Sequence, residues 1–171
     1  MNKLREVKIE KITLNIGVGS PGDKLNNAMK LLNTMTGLKS VQTSSNKRIP
    51  TWGVRPKLPL ACIVTVRGKK AEELLKRLFA SIENKLPIRK IDKAGNFSFG
   101  IEEYISIPGV KYDATIGVIG LEVAVTLSKA GYRIKRRNIQ KRKIPMRHAV
   151  SRQEAFEFLK NKFGVIIGDE E

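Results

Sequence analysis

Polar and apolar residues alternate early in the chain. Within Lys8–Ile16, Ile12, Leu14 and Ile16 fall on one side and Lys11, Thr13 and Asn15 on the other. That is the period-two pattern of a half-buried strand. The period then changes: Leu25, Ala28, Met29, Leu32 and Met35 recur at helical spacing. Ser20-Pro21-Gly22-Asp23 predicts an N-cap serine, a proline opening the helix and an acid three residues after the cap, and Gly37 predicts its end. Ser40–Ser45 reads as a short polar strand with Val41 and Thr43 on one side. Asn46–Pro59, broken by Pro50, Gly53, Pro56 and Pro59, reads as a loop. A strand over Leu60–Arg67 follows. Ala71–Leu86 is predicted to be a helix with Leu74, Leu75, Leu78, Phe79 and Ile82 on its apolar face. Glu72/Lys76 and Glu73/Arg77 are favourable pairs on its other face.

In the second half, Phe97, Phe99 and Ile101 alternate with polar residues within Gly95–Ile107, predicting one or two strands. Leu121–Ser128 predicts another, with Leu121, Val123, Val125 and Leu127 on the core side. Tyr132–Val150 is too charged to pack and predicts an extended arm or hairpin. Ser151-Arg152-Gln153-Glu154 is a capping box with Val150 as its staple, opening a last helix to about Phe163 that Gly164 ends. These elements predict an α+β fold: an antiparallel sheet with helices packed on one face, carrying a basic loop and a basic arm. The uncovered face holds Lys11, Thr13, Asn15, Thr65 and Arg67, a polar platform suited to RNA.

Charge sharpens this picture. The 171 residues carry 33 Lys and Arg against 16 Asp and Glu, a formal net charge of +17. Ten of the bases, and no acid, lie in the 48 residues between Asp23 and Glu72. Ten more, again with no acid, lie in the 31 residues between Glu122 and Glu154. The remaining 92 residues hold 13 bases and 16 acids, so two segments supply all of the excess. Self-repulsion within such segments opposes folding unless a polyanion relieves it, and counterion release rewards clustered cations that meet phosphate.

Other chemistries find little support. The length suits a single domain over 1–171, with a protruding loop at 46–59 and an arm at 132–150. No apolar run reaches the roughly 18–20 residues that span a bilayer, and Met1–Glu6 is charged with no apolar stretch behind it, so no secretory signal is expected. Arg133–Arg147 lacks aromatic residues and stops at Pro145, unlike a membrane-surface helix. One cysteine, Cys62, permits no internal disulfide and fits a reducing, cytosolic setting; with one histidine, His148, it cannot build a zinc site. Cys62 is in phase with Val64 and Val66, so an inert core thiol is expected rather than a nucleophile. Gly17-Val18-Gly19-Ser20-Pro21-Gly22 matches a dinucleotide-binding spacing. However, no acid stands about 20 residues further on and Pro21 removes an amide, so a tight turn is expected. Glu72/Glu73 and Glu102/Glu103, with Asp113 and Glu122, raise a metal-dependent nuclease reading. The first pair is matched to cations, and neighbours on a strand face opposite ways. No catalytic residue, cofactor, metal or small-molecule substrate is expected. Trp52 either anchors its loop or stacks on RNA beside Lys47, Arg48, Arg55 and Lys57. Phe97 and Phe99 faintly resemble the aromatic strand of RNA-recognition motifs but are expected in the core.

The runs Lys8-Ile9-Glu10-Lys11-Ile12-Thr13-Leu14-Asn15-Ile16-Gly17-Val18-Gly19, Val64-Thr65-Val66-Arg67-Gly68, Gly95-Asn96-Phe97-Ser98-Phe99-Gly100-Ile101 and Tyr112-Asp113 resemble the large-ribosomal-subunit protein five family. These universal proteins bind 5S ribosomal RNA. The likeness extends in order from about residue 5 to 165. The basic insert Arg136-Arg137…Lys141-Arg142-Lys143 and the lack of an N-terminal helix resemble the archaeal and eukaryotic branch. The resemblance implies an RNA-recognition-like fold in the central protuberance, bound to 5S rRNA and large-subunit rRNA. It also implies a loop approaching the P-site tRNA, contacts with neighbouring ribosomal proteins, and a bridge to the small subunit. Position by position, it implies rRNA contacts at Asn15, Trp52, Thr65 and Arg67 and tRNA contacts at Lys47, Arg48 and Arg55. Leu38 departs from the family's usual glutamine, which puts a base contact there in question. Adding the charge pattern extends the expected rRNA set to Lys11, Arg136, Arg137, Lys141, Arg142, Lys143 and Arg147, and the tRNA set to Lys57. The arm is expected to be mobile alone and ordered against RNA. The protein is expected to be a ribosome-bound, cytoplasmic, non-catalytic component of translation.

Overall fold

The computed structural model describes residues 3–168; Met1 and Asn2, where the signal-sequence expectation begins, lie outside the described residues. The regular elements are β1 (Val7–Gly17), α1 (Asp23–Thr36), β2 (Val41–Ser44), β3 (Pro59–Val66), α2 (Lys69–Ala80), β4 (Lys85–Pro87), β5 (Phe97–Ile101), β6 (Leu121–Lys129), α3 (Arg152–Phe163) and β7 (Ile166–Gly168). Five strands form an antiparallel sheet in the order β2-β3-β1-β6-β5, and β4 pairs with β7 in parallel. Each long strand buries alternate residues only, among them Ile12, Leu14 and Ile16 of β1, and Cys62, Val64 and Val66 of β3. One face is therefore covered and the other open, as the alternation predicted. The described residues fall into two compact units, one of residues 13–66 and 100–123, the other of the remainder.

In the first unit α1 packs on β3, burying Leu25, Ala28, Leu31, Leu32 and Met35. Gly37 ends the helix in the left-handed conformation, its N–H donating to the Asn33 carbonyl at 2.8 Å. The start differs from expectation: Gly22, not Ser20, is the N-cap, and no side chain caps the helix. The amides of Val18 and Gly19 both donate to the Leu60 carbonyl at 2.9 Å. That fastens the turn to β3 and leaves the reversal to Gly22, whose φ of 130° suits glycine. After β5 the chain makes a 3-10 turn at Tyr104–Ser106 rather than a second strand. Tyr104 is fully buried, and its hydroxyl accepts the Asp113 N–H at 3.1 Å.

The second unit is centred on Phe79, stacked on Phe97 and Phe99 with centroids 5.9 and 5.4 Å away. Both β5 rings are thus core residues, as expected. Helix α2 runs Lys69–Ala80, not Ala71–Leu86. Glu83 and Asn84 adopt φ of 54° and 56°, breaking the helix and turning the chain into β4. Glu72 pairs with Lys162 at 2.7 Å, not with Lys76. The capping box forms as predicted: Ser151 Oγ accepts the Glu154 N–H at 3.3 Å and a Glu154 carboxylate oxygen accepts the Ser151 N–H at 2.9 Å.

The arm is not extended. It opens in a 3-10 turn at Tyr132–Lys135 and closes in another at Met146–His148. Tyr132 joins its two ends: the phenol accepts the Val150 N–H at 2.9 Å and donates to the His148 carbonyl at 3.3 Å. His148 Nε2 donates to the Ala130 carbonyl at 2.8 Å. These hydrogen bonds hold the base of the arm, whereas five of the eight residues at its tip, 136–143, are cations.

Candidate nucleic-acid interface

The loop 46–59 is more ordered than its prolines suggest. The Ser45 N–H donates to the Leu58 carbonyl and the Lys57 N–H to the Ser45 carbonyl, at 3.0 and 2.8 Å. Further out, Ile49 and Val54 exchange both of their N–H···O bonds at 2.9 and 3.0 Å. The segment therefore extends the β2–β3 hairpin as a tip. Val54 points in and is buried, while Trp52 points out at 77% exposure. So exposed an indole buries little surface with which to anchor its loop. Lys47, Arg48, Arg55 and Lys57 are exposed around it, and none forms a salt bridge among the described residues.

On the sheet, Lys11, Thr13 and Asn15 alternate with the buried residues of β1, and Thr65 with those of β3. Their placement on the open face follows the predicted pattern, but the face is not bare of acid. Asn15 Nδ2 donates to Glu122 at 3.0 Å. Arg67 donates to the Glu10 carbonyl oxygen at 3.2 Å and lies 3.9 Å from its carboxylate.

The arm brings its own cations together. Arg136, Arg137, Lys141, Arg142, Lys143 and Arg147 are all exposed. Arg137 Nε donates to the Gln140 carbonyl at 3.0 Å, which curls the tip. Arg136 meets the Glu10 carboxylate at 2.7 Å. Two other bases of this acid-free stretch are directed inward. Lys129 is 4% exposed, with its ammonium 2.6 Å from Glu154 and 3.1 Å from the Ala149 carbonyl. Arg152 donates to the Ile88 carbonyl and lies over the Phe156 ring. The pairings of Glu10 with Arg136 and of Glu154 with Lys129 were not legible in the sequence, because nothing local announces a pairing across 126 or 25 positions.

Cys62 is wholly buried, and burial pushes its thiol up to about 11, so it is protonated and inert at neutral pH.

Comparison with known proteins gives this basic surface its context. A family model described as "Ribosomal protein L5" matches residues 2–55, and a second model, describing the C-terminus of the same ribosomal family, matches residues 59–162. The chain belongs to the ribosomal protein L5 family. Relatives named "Large ribosomal subunit protein uL5" include those of Methanosphaera stadtmanae and Sulfurisphaera tokodaii. The first is 44% identical, over 98% of this chain and 99% of that protein; the second is 45% identical, over 98% and 95%. The Nanoarchaeum equitans protein of the same name is 44% identical over 96% and 97%. All three organisms are archaea, in agreement with the branch that the basic insert suggested. Ribosomal L5 proteins are structural and not enzymes, so the carboxylate pairs and Cys62 need no catalytic reading. The two family matches take in Lys47, Arg48 and Arg55 at the tip and the whole basic arm; Lys57 falls between them. No helix among the described residues is long and apolar enough to cross a membrane.

Proposed function

We propose that the chain is a structural component of the large ribosomal subunit, binding 5S rRNA and adjoining large-subunit rRNA in the central protuberance. In this reading Lys11, Arg67 and the exposed cations of the arm contact rRNA phosphate. Asn15, Thr65 and Trp52 supply hydrogen bonds and stacking. The tip at 46–59 approaches the P-site tRNA through Lys47, Arg48, Arg55 and Lys57. The ribosome-bound protein touches neighbouring ribosomal proteins and bridges to the small subunit. The chain acts as one binding domain over 1–171, without cofactor or small-molecule substrate.

One observation carries the reading: the exposed cations of the tip, and all of those at the end of the arm, have no acid partner among the described residues. Such surfaces are relieved by a polyanion, and a folded RNA presents phosphates at that density. The arm, whose Arg137, Lys141, Arg142 and Lys143 make no ion pair among the described residues, is further proposed to tighten on RNA. Purifying the tagged chain with its bound RNA and washing in high salt tests the assignment. Retention of 5S rRNA above other RNAs is expected; retention of bulk RNA without preference would contradict it. Limited proteolysis tests the arm, where 5S rRNA is expected to slow cleavage.

A further inference from the structure

Beneath the arm lies a cavity of about 900 Å³, at the upper end of the roughly 300–1,000 Å³ usual for small-ligand sites. Its apolar floor includes the half-buried Tyr132, Ile144 and Ala149. Its rim carries six cations: Lys11, Lys135, Arg136, Lys141, Arg142 and Lys143. Only Arg136 is neutralised, by the Glu10 carboxylate at 2.7 Å; the other five form no salt bridge among the described residues. Thr126 also lines the cavity, and its hydroxyl has no protein partner among those residues.

These features select an occupant. The rim calls for phosphate, the floor for a flat apolar body, and the Thr126 hydroxyl for a hydrogen-bonding edge. A paired RNA helix offers its phosphates but holds its bases stacked away from such a floor. An unpaired nucleotide offers all three at once, and unpaired bases are where proteins usually read RNA.

We propose that this cavity is a socket for a single unpaired nucleotide of the bound RNA, whose phosphate takes the place of Glu10 on Arg136. The inference rests on the RNA-binding reading above and deepens it. In the free protein Glu10 is the resident anion that holds Arg136 over the socket. In the complex the carboxylate faces the incoming phosphate and opposes it.

Three variants of the full chain, titrated with 5S rRNA at several salt concentrations, test this. Glu10→Gln removes the competitor; it is expected to tighten binding about 3- to 10-fold and to steepen the dependence on log salt by about one phosphate contact. Ala94→Trp, at an exposed position on the cavity wall, fills the socket and is expected to weaken binding about tenfold or more. A 4-thiouridine placed at successive unpaired positions of 5S rRNA is expected to crosslink to Lys11 or Tyr132 from one position. If Ala94→Trp does not fold, Glu10→Gln and the crosslink decide the matter. Unchanged binding in Glu10→Gln, or no socket crosslink from any position, overturns the proposal. A third variant, with Lys141, Arg142 and Lys143 all changed to Gln, separates the two levels. Should it weaken binding while Glu10→Gln and Ala94→Trp do not, the socket fails and the RNA reading stands. Should it also bind normally, both fail.

Discussion

Lys129 shows how a single residue fastens the arm. Its buried ammonium meets Glu154 at 2.6 Å and the Ala149 carbonyl at 3.1 Å, so the end of β6, the end of the arm and the first turn of α3 share one charge pair. Removing the carboxylate leaves a buried cation with one carbonyl. Because Glu154 is 39% exposed, Glu154→Ala is expected to lower unfolding free energy by about 1–3 kcal/mol, less than the about 3–5 of a fully enclosed pair. Lys129→Met leaves Glu154 its bonds to Ser151 and some solvent, and is expected to change stability by about 1 kcal/mol or less. Urea denaturation measures both. Burial acts to raise the Glu154 pKa, but hydrogen bonds from Lys129 and Ser151 and the charge of Lys129 outweigh it and lower it from 4.5. The pair's contribution is therefore complete above about pH 4.5 and lost as pH falls through the lower folded value. The stability difference between the wild type and Glu154→Gln is expected to shrink on acidification over that range. Gly95 is a second fixed point: its φ is +74°, and a Cβ there would lie 2.7 Å from Val150 Cγ1. Gly95→Ala is expected to cost about 1–3 kcal/mol, read by the same denaturation. The Ser151–Glu154 cap was legible because both partners lie within four residues. The Glu10–Arg136 and Lys129–Glu154 pairs were not, because side-chain partners distant in sequence leave no periodic trace.

Among the elements, the long alternating strands and α3 follow their sequence patterns closely, since each pattern is local and each end carries its own signal. The ends of α1 and α2 do not. At α1, the Val18 and Gly19 amides fasten the turn to β3 and the helix starts from Gly22 without a side-chain cap. At α2, two left-handed residues intervene while the apolar periodicity continues through Ile82 and Leu86. The pairing of β4 with β7 spans about 80 residues and has no local signature. The arm departs from its pattern for a different reason: charge density describes its tip, whereas Tyr132 and His148 determine its base. The hairpin tip gives a further test at this scale. Trp52→Ala is expected to leave stability within about 0.5 kcal/mol, because the ring is 77% exposed. If the indole stacks on RNA, the same change weakens binding by about 1–3 kcal/mol with little effect on its salt dependence. Filter binding of tRNA and 5S rRNA to this variant distinguishes which RNA the ring meets.

The whole molecule is organised by its charge. The residues outside the two acid-free stretches are slightly acidic, and the structure turns part of that acid on the basic segments: Glu10 holds Arg136 and Glu154 holds Lys129. Exposed cations without an acid partner among the described residues include those of the hairpin tip and of the end of the arm. Family membership was legible in motifs spread along the chain, and the α+β class in the periodicities. Which cations face outward was not, since sequence counts Lys129 and Arg152 with the rest.

The most direct measurement is the affinity for 5S rRNA as a function of salt, for the wild type and for a variant with Lys47, Arg48, Arg142 and Lys143 all changed to Gln. Each phosphate contact contributes about 0.9 to the slope of log affinity against log salt on a duplex. Much weaker binding by the variant is expected, with a slope shallower by roughly two to four contacts. Equal affinity and equal slope for the two proteins would contradict the RNA-binding reading.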